Sequence, residues 1–296
     1  MPRLALEVFF MQKRRFGRTG LSISPVIFGG IINMNETLEN AQHYVDFAVE
    51  AGVNYFDVAP TYNDAESRLG PALNKHRANV ILACKTTKRD AVGAKEELLH
   101  SLHVLETGYF DVYQMHAITT QDDLDQAFGP GGAMETFLWA RKEGLIRNIG
   151  FSAHHEGVAL EACRLYDFDT VLFPMNWALG LQTGWGDRIA IEVKRTDKGL
   201  LCMKTMVSRL WREGEPKVYP KSWCRPVYDD DRLAIAGMKY GLAKGGAALV
   251  PPGDFEHFLF MLKNIDACLT HPLTDDDLAY LKQESAKVKD ELIFHP

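Results

Sequence analysis

The stretch NVILACKTTKRDAVGAKEELLHSLHVLETGYFDVYQMH, residues 79–116, encloses one amphipathic segment between two apolar runs. The runs 79–85 and 109–116 are short and continuously apolar, which is typical of strands buried on both faces. Between them, apolar residues at 94, 98, 99, 102 and 105 follow helical spacing. The stretch therefore predicts a strand–helix–strand unit.

The same unit recurs along the chain. Further apolar runs lie at 25–29, 54–59, 146–152, 170–175, 199–204 and 247–250, and further helical stretches at 38–51, 134–142, 157–165, 188–194 and 232–242. Eight strand-then-helix units without a Pro- or Ser-rich linker predict an α/β fold, a (β/α)8 TIM barrel forming a single domain over residues 1–296. A doubly wound sheet is the alternative, and it is disfavoured because no GxGxxG follows an early strand.

Three segments fall outside the minimal barrel. FGRTGLSIS (16–24) predicts an N-terminal β-hairpin with its turn at 18–20. Residues 205–231 form a long excursion after the seventh strand that contains Trp211 and Trp223, and loops of this length are usually functional or disordered. Residues 275–294 predict a charged helix at the C-terminal end of the chain.

Composition excludes several classes of protein. Hydrophobic residues make up 46% and charged residues 24% of the 296, which is ordinary for a globular chain and not for a fibrous or disordered one. The 33 Lys and Arg against 39 Asp and Glu give a net charge of −6. A negative balance argues against a dedicated nucleic-acid binder and against a polybasic membrane anchor.

Cysteine spacing and the first residues bear on the compartment. The five cysteines are scattered without metal-site spacing, which indicates reduced thiols. Residues 1–15 contain a short apolar patch but neither a long hydrophobic region nor a small-residue cleavage site. No run reaches the ~18 apolar residues of a membrane span. The expectation is a soluble, cytoplasmic protein.

Reactive side chains stand at the ends of four consecutive predicted strands. Asp57 ends the second, Lys85 the third, His116 the fourth and Ser152 the fifth, and Tyr62 follows Asp57 by five residues. Each alone has a simpler reading, such as a helix cap or a packed side chain. Because active sites of α/β barrels lie at the carboxyl ends of the strands, we expect the five to share one pocket.

The set is suited to proton donation. A free tyrosine has a pKa of about 10 and is a poor acid at neutral pH. An ammonium group within ~4–6 Å favours the phenolate, so Lys85 would lower the pKa of Tyr62. Asp57 would be the counter-ion of Lys85. His116 can orient a carbonyl or share the proton. The partner reaction is hydride transfer, which requires a cofactor.

With these residues the chain resembles the aldo-keto reductase superfamily nearly end to end. The segments that carry the resemblance are RRFGRTGLSISPVIFGG (14–30), NYFDVAPTYNDAESRLG (54–70), YQMH (113–116) and GLIRNIGFS (144–152). The resemblance implies that Asp57, Tyr62, Lys85 and His116 are a catalytic tetrad with Tyr62 as general acid. It also implies NAD(P)H bound across the barrel mouth and a small carbonyl or alcohol as substrate.

The resemblance further implies a set of cofactor-binding residues: Gly29, Gly30, Asp57, Ser152, Asn176, Met203, Lys204, Gly253, Glu256 and Asn264. The nicotinamide pocket departs from the common pattern. Ala153 stands where many members have Asn, Leu172 where the usual residue is Gln, and Met203 near a position that is often aromatic. These departures resemble a branch that often carries iron–sulfur tails. No cysteine-rich tail is present here, so no cluster is implied.

The segment VPPGDFEHFLFMLKN (250–264) bears on the adenosine end of the cofactor. Gly253 and Asn264 match the family pattern, but Phe255 and Glu256 replace the usual base and hydroxyl. A 2′-phosphate needs cationic donors, whereas an acid can accept from a ribose 2′-OH. We therefore expect NADH to be preferred over NADPH, although Lys204 or Lys244 could still reach a phosphate.

The sequence is also compatible with two other functions. A nucleotide-binding barrel can serve as a regulatory or scaffold subunit, and the altered nicotinamide pocket is compatible with this alternative. The intact tetrad favours an NAD(P)-dependent oxidoreductase instead, because a barrel that has lost its activity is expected to have lost Tyr62 or Lys85. A barrel lyase or isomerase is disfavoured by the lack of a phosphate or metal signature.

Overall fold

The N-terminal hairpin closes the bottom of the barrel. The computed structural model describes residues 11–294, so the apolar patch in residues 1–10 lies outside the described part. Strand β1 (Arg14–Arg15) pairs antiparallel with β2 (Ser22–Ile23) around a short turn that ends at Gly20, whose φ of +75° suits glycine. Phe16 is fully buried against Tyr55 in an edge-to-face contact of 5.7 Å.

Eight parallel strands form one curled sheet. The remaining strands are β3 (Phe28–Gly29), β4 (Tyr55–Asp57), β5 (Ile81–Thr86), β6 (Phe110–Ile118), β7 (Ile146–Ala153), β8 (Thr170–Pro174), β9 (Gly199–Met203), β10 (Val207–Leu210), β11 (Cys224–Pro226) and β12 (Ala248–Leu249). In the sheet the order is β12, β9, β8, β7, β6, β5, β4 and β3. A parallel bridge between Val26 and Leu249 joins its two edges, so the predicted (β/α)8 barrel is confirmed.

Alternation along the strands sorts the side chains between two cores. Tyr55, Ala83, Val112 and Leu201 belong to the small cluster that fills the barrel. The residues between them along each strand, such as Phe56, belong to the larger cluster beneath the helices. Because side chains alternate with a period of two, Asp57, Lys85 and His116 continue the inward-facing rows to the carboxyl ends of the strands.

Eleven helices lie within the described residues. They are α1 (Leu38–Glu50), α2 (Ala65–Leu73), α3 (Ala91–Val104), α4 (Gln121–Phe128), α5 (Ala133–Lys142), α6 (Glu156–Leu165), α7 (Trp177–Thr183), α8 (Asp187–Thr196), α9 (Asp231–Ala243), α10 (Phe255–Thr270) and α11 (Asp275–Lys287). Several of them begin with a side-chain cap: Thr37 accepts from Asn40 N, and Thr120 and Thr274 form capping boxes.

The sequence did not predict α2, α4, α7 or α10. Helix α2 contains Gly70 and Pro71, which ordinarily interrupt helices. Here a Cβ on Gly70 would come within 2.7 Å of the backbone of Leu105, so the glycine permits a close approach between α2 and the end of α3. Tertiary packing thus outweighs the local propensity.

Two predicted segments need correction. The excursion 205–231 is not a bare loop, because β10 and β11 pair antiparallel within it. The predicted helix 275–294 ends at Lys287, and the chain continues without regular structure to Phe294, whose ring packs on Trp185. In residues 11–294 no helix is both long and apolar enough to cross a membrane. The same residues contain no group of three or more His, Cys, Asp or Glu placed to hold a metal ion.

Candidate active site

A buried ion pair lies at the centre of the barrel mouth. Lys85 Nζ is 2.5 Å from Asp57 Oδ2 and donates also to the carbonyl of Val58 at 3.2 Å. The two side chains are 0% and 4% exposed. Gln114 Nε2, two residues before His116 on β6, donates to the other oxygen of Asp57 at 3.3 Å. The parallel register pairs Lys85 with Gln114 across β5 and β6, and Asp57 with Ala83, two residues before Lys85, across β4 and β5.

Tyr62 reaches the ion pair from the loop between β4 and α2. Its hydroxyl is 3.5 Å from Lys85 Nζ. The loop is held by backbone hydrogen bonds from Tyr62 N to Ala59 O and from Ala65 N to Tyr62 O. Asn63 Nδ2 donates to Asn35 Oδ1 at 2.6 Å and so ties the loop to the segment before α1. The phenol is half-buried and opens toward the mouth.

The pKa of Lys85 is set by two opposing effects, burial and its charged partners. Burial alone would lower the pKa of Lys85, but the carboxylate of Asp57 and the phenol of Tyr62 raise that pKa above its ordinary value. Lys85 therefore stays a cation at neutral pH although no part of it reaches solvent. A buried cation of this kind depends on its counter-ion.

The pKa of Tyr62 differs from the sequence-based expectation. Burial raises the pKa of the phenol, and the opposing effect of Lys85 does not fully offset it, so the net shift is upward. Lys85 acts in the expected direction, but the desolvation of the phenol on burial outweighs its effect. The resting state at neutral pH is therefore the protonated phenol, the form that can donate.

His116 is neutral at physiological pH. Burial, with Lys85 nearby, lowers the pKa of His116 to about 3. Its Nδ1 is 3.4 Å from Thr61 Oγ1, and its ring meets that of Tyr62 edge-on with centroids 5.8 Å apart. Arg89 donates to the carbonyl of His116 at 2.7 Å. A neutral imidazole can direct one donor and one acceptor toward a ligand.

A cavity extends from Tyr62 to the segment after β12. Its lining includes several of the predicted cofactor residues, namely Gly29, Asp57, Met203, Lys204 and Gly253. Leu172 and Val250 add apolar surface, and Lys221 and Trp223 border it from the excursion 205–231. The donor set fits a nicotinamide dinucleotide in two respects: apolar surface beside Tyr62, and lysines along the route to Gly253.

Other predicted cofactor residues do not line that cavity. Ser152 lines the adjoining cavity with His116, and its Oγ accepts from Ala117 N at 2.8 Å. Asn176 is buried and bonded to backbone only: it caps α7 and donates to the carbonyls of Lys204 and Val207. Glu256 is exposed in the first turn of α10, and Asn264 donates to Phe260 O one turn back.

Gly30 and Lys244, which were also considered for the cofactor, lie beside other segments of the chain. A Cβ on Gly30 would come within 2.8 Å of the Val58 side chain, so this glycine allows the segment to pass close to β4. Lys244 is ion-paired with Asp187 and lines a groove beside the N-terminal hairpin.

Sequence reasoning did not assign three residues to the site. Gln114 could have been found from strand alternation, since it shares the inward row with His116. His154 lines the cavity next to His116. Trp223, in the excursion 205–231, has its ring 5.7 Å from that of Tyr62. The position of Trp223 depends on how the excursion 205–231 folds, and the sequence around Trp223 does not predict that.

The sequence is similar to a known family and to several curated proteins. The model of the aldo/keto reductase family matches residues 26–176, half of the chain. The uncharacterized oxidoreductase YqkF of Bacillus subtilis is 32% identical over 165 residues, 51% of this chain and 52% of the relative. Methylglyoxal reductase DkgA of Escherichia coli O157:H7 is 34% identical over 115 residues, 36% of this chain and 39% of the relative. The chain thus spans about half or less of the length of these curated relatives.

Solved structures match over more of the chain. The aldo-keto reductase AKR11C1 of Bacillus halodurans, in its holo form, superposes with a TM-score of 0.71 at 22% identity, covering 96% of this chain and 98% of that one. Its apo form gives 0.65 with the same coverage. At this identity the likeness supports the barrel fold alone, and the family assignment rests on the matched residues 26–176. This chain belongs to the aldo/keto reductase family.

Proposed function

We propose that the protein is an NAD(P)H-dependent oxidoreductase that interconverts a small carbonyl compound and the corresponding alcohol, with Tyr62 as the proton donor. One observation carries the proposal: the Tyr62 hydroxyl lies 3.5 Å from a fully buried lysine that is itself paired with Asp57 at 2.5 Å. A structural ion pair would not need a phenol facing a cavity at the barrel mouth.

The residues divide the work of proton transfer. When bound, the nicotinamide cofactor supplies or accepts the hydride. Tyr62 is protonated at rest and donates to the carbonyl oxygen as negative charge develops there. Lys85 stabilises the phenolate that remains, and Asp57 keeps the lysine charged and in place. His116, neutral and edge-on to Tyr62, donates a second hydrogen bond to the same oxygen.

The walls of the site suit a compact, largely uncharged substrate. The cavity that contains Tyr62 and His116 is bounded by Leu172, Met203, Leu210, Ile293 and Phe294. A relative, DkgA, is named for the reduction of methylglyoxal, a compact carbonyl compound. We propose aldehydes and ketones of a few carbons, or sugar-like carbonyls, as the substrate class, and NADH as the preferred cofactor.

The test is the Tyr62→Phe variant. Removal of the hydroxyl takes away an interaction made in the transition state, so turnover falls about 10²–10⁴-fold while the Kd for reduced cofactor changes less than about twofold. Turnover is followed by nicotinamide absorbance over a carbonyl panel, and the Kd by fluorescence titration. Tyr109→Phe, which removes a phenol hydroxyl at the opposite end of β6 from His116, is the matched control. Turnover within about threefold of wild type in Tyr62→Phe contradicts the assignment of the donor.

A further inference from the structure

A second imidazole shares the cavity with His116. His154 directly follows β7 and lines the same cavity as Tyr62, His116 and Ser152. On the same wall Lys204 Nζ donates to Cys224 Sγ at 3.5 Å, and Leu172, Met203 and Phe294 are apolar. His154 adds an imidazole with two nitrogens to this wall.

Packing fixes the ring of His154. It stacks on Phe294 with centroids 5.1 Å apart and an interplanar angle of 23°. Phe294 stacks in turn on Trp185 at 5.8 Å, and Trp185 on Phe173 at 5.5 Å. This row of four rings anchors the end of the described chain to β8 and holds the imidazole at one orientation.

The nitrogens of His154 are left free for a ligand. Within residues 11–294 neither ring nitrogen makes a hydrogen bond to another residue. Burial, with the Lys204 charge nearby, lowers the pKa of His154 to about 4. The ring is neutral at pH 7 and offers one donor and one acceptor. A half-buried imidazole that is oriented by stacking but unpartnered is arranged to bond something that enters the cavity.

We propose that His154 binds a second oxygen of the substrate, a hydroxyl or oxo group beside the reacting carbonyl. This inference rests on the proposed function, in which Tyr62 and His116 hold the carbonyl oxygen. A carbonyl compound without the second oxygen would displace water from the imidazole without offering it a hydrogen bond. The unpaired imidazole would then weaken the binding of that compound. The preferred substrates are therefore 2-hydroxy and 2-oxo carbonyl compounds rather than simple alkanals.

The test uses three probes with one carbon skeleton: propanal, 2-hydroxypropanal and 2-oxopropanal. His154→Phe keeps a ring to stack on Phe294 and removes both nitrogens. We expect kcat/KM to fall about fivefold to tenfold for the two oxygenated probes and less than about twofold for propanal. For each probe the variant is compared with wild type, so the intrinsic reactivity of the probe cancels. His154→Gln, which retains a donor and an acceptor, restores part of the loss.

The neighbouring histidine supplies the control. His155 is exposed, and its Nδ1 accepts from Val158 N at 3.2 Å to cap α6. His155→Asn keeps a capping residue, so it should leave all three probes within about twofold of wild type. An equal loss for all three probes in His154→Phe would mean that His154 only packs, and would overturn the proposal.

A binding measurement separates this proposal from the proposed function. Propane-1,2-diol carries the second oxygen and propan-1-ol does not, and binding of either is followed by tryptophan fluorescence, since Trp223 borders the same cavity. We expect the Kd for the diol to rise about fivefold in His154→Phe and the Kd for propan-1-ol to stay unchanged. If the diol binds more weakly to His154→Phe but the wild-type protein reduces no carbonyl compound, the proposed oxidoreductase activity is overturned and the role of His154 stands. Equal affinities for the diol in both proteins would overturn that role.

Discussion

The imidazole of His257 lies edge-on against Tyr219, with ring centroids 4.3 Å apart, and neither of its nitrogens has a hydrogen-bond partner in the part of the chain that the structure describes. His257 is 4% exposed, in the first turn of α10, and Tyr219 belongs to the excursion 205–231. Burial lowers the pKa of His257 to about 4. The contact thus places a neutral, unpaired histidine beneath the segment that borders the active site.

This burial predicts a loss of stability in mild acid. The unfolded chain binds a proton at His257 below about pH 6.5, whereas the folded chain resists protonation until about pH 4. Between these values the unfolded state binds more protons, so the free energy of unfolding falls by about 1.4 kcal/mol per pH unit as pH decreases. His116 and His154, with lowered pKa values, add dependence of the same sign.

Two variants isolate the contribution of His257. His257→Phe removes the titrating group and both unpaired nitrogens, so stability at pH 7 is retained and the decline from pH 7 to pH 5 is smaller by about 2 kcal/mol. His257→Gln flattens the decline equally but is less stable at pH 7, because it still buries polar atoms. Urea unfolding at several pH values measures both. A decline in His257→Phe as steep as in wild type would contradict this account.

The Lys85–Asp57 pair predicts coupled effects on stability. Removing one partner leaves the other buried and uncompensated, so Lys85→Met and Asp57→Asn should each cost about 3–5 kcal/mol. The double variant contains neither charge, and its cost should fall well short of the sum of the two single costs. Urea unfolding of the four proteins gives the coupling energy. Strictly additive costs would show that the two charges do not depend on each other.

Catalysis should not recover with stability. Lys85→Met is expected to be the less active single variant, because it removes the charge that stabilises the phenolate. The double variant should stay as inactive as Lys85→Met even where its stability returns, since both lack the ammonium group beside Tyr62.

The alkaline limb of the pH–rate profile reports the Tyr62 proton. A donor works only while protonated, so reduction should be steady through neutral pH and decline as pH rises through the pKa of Tyr62, which burial places above its ordinary value. Lys85→Met removes a nearby cation that lowers this pKa, so the decline should move to higher pH while the rate falls. An unchanged limb in Lys85→Met would contradict the coupling between the two residues.

The positions of these side chains could be predicted from sequence to very different degrees. Asp57, Lys85 and His116 end successive strands, and the rule that barrel chemistry lies at the carboxyl ends was enough to bring them together. The direction of the Tyr62 pKa shift was not predictable, because it depends on a desolvation that only the packed site supplies. His154 carried no local signal, since its role follows from the stack on Phe294, 140 positions along the chain.

The last prediction concerns the choice between NADH and NADPH. Glu256 is exposed in the first turn of α10, three residues after Gly253, which lines the cavity that runs to Tyr62. Phe255 stacks on Tyr44 with centroids 4.0 Å apart, so this part of α10 presents an aromatic pair and a carboxylate, and Lys221 nearby is paired with Glu36 at 2.6 Å. Of the two lysines considered for a phosphate, Lys244 is paired with Asp187 beside the N-terminal hairpin. Lys204 lines the cavity next to Trp223.

We therefore expect NADH to bind at least as tightly as NADPH. Because Glu256 is exposed, solvent and salt screen its repulsion of a 2′-phosphate to about 1 kcal/mol, which still corresponds to a several-fold preference. Fluorescence titration with both cofactors should show Glu256→Arg gaining affinity for NADPH, Glu256→Gln lying between it and wild type, and Lys244→Met matching wild type. Tenfold tighter binding of NADPH to wild type, or no gain in Glu256→Arg, would refute this account of the adenosine pocket. The proposed oxidoreductase activity would stand in either case, because it depends on Tyr62 and Lys85 at the other end of the cavity.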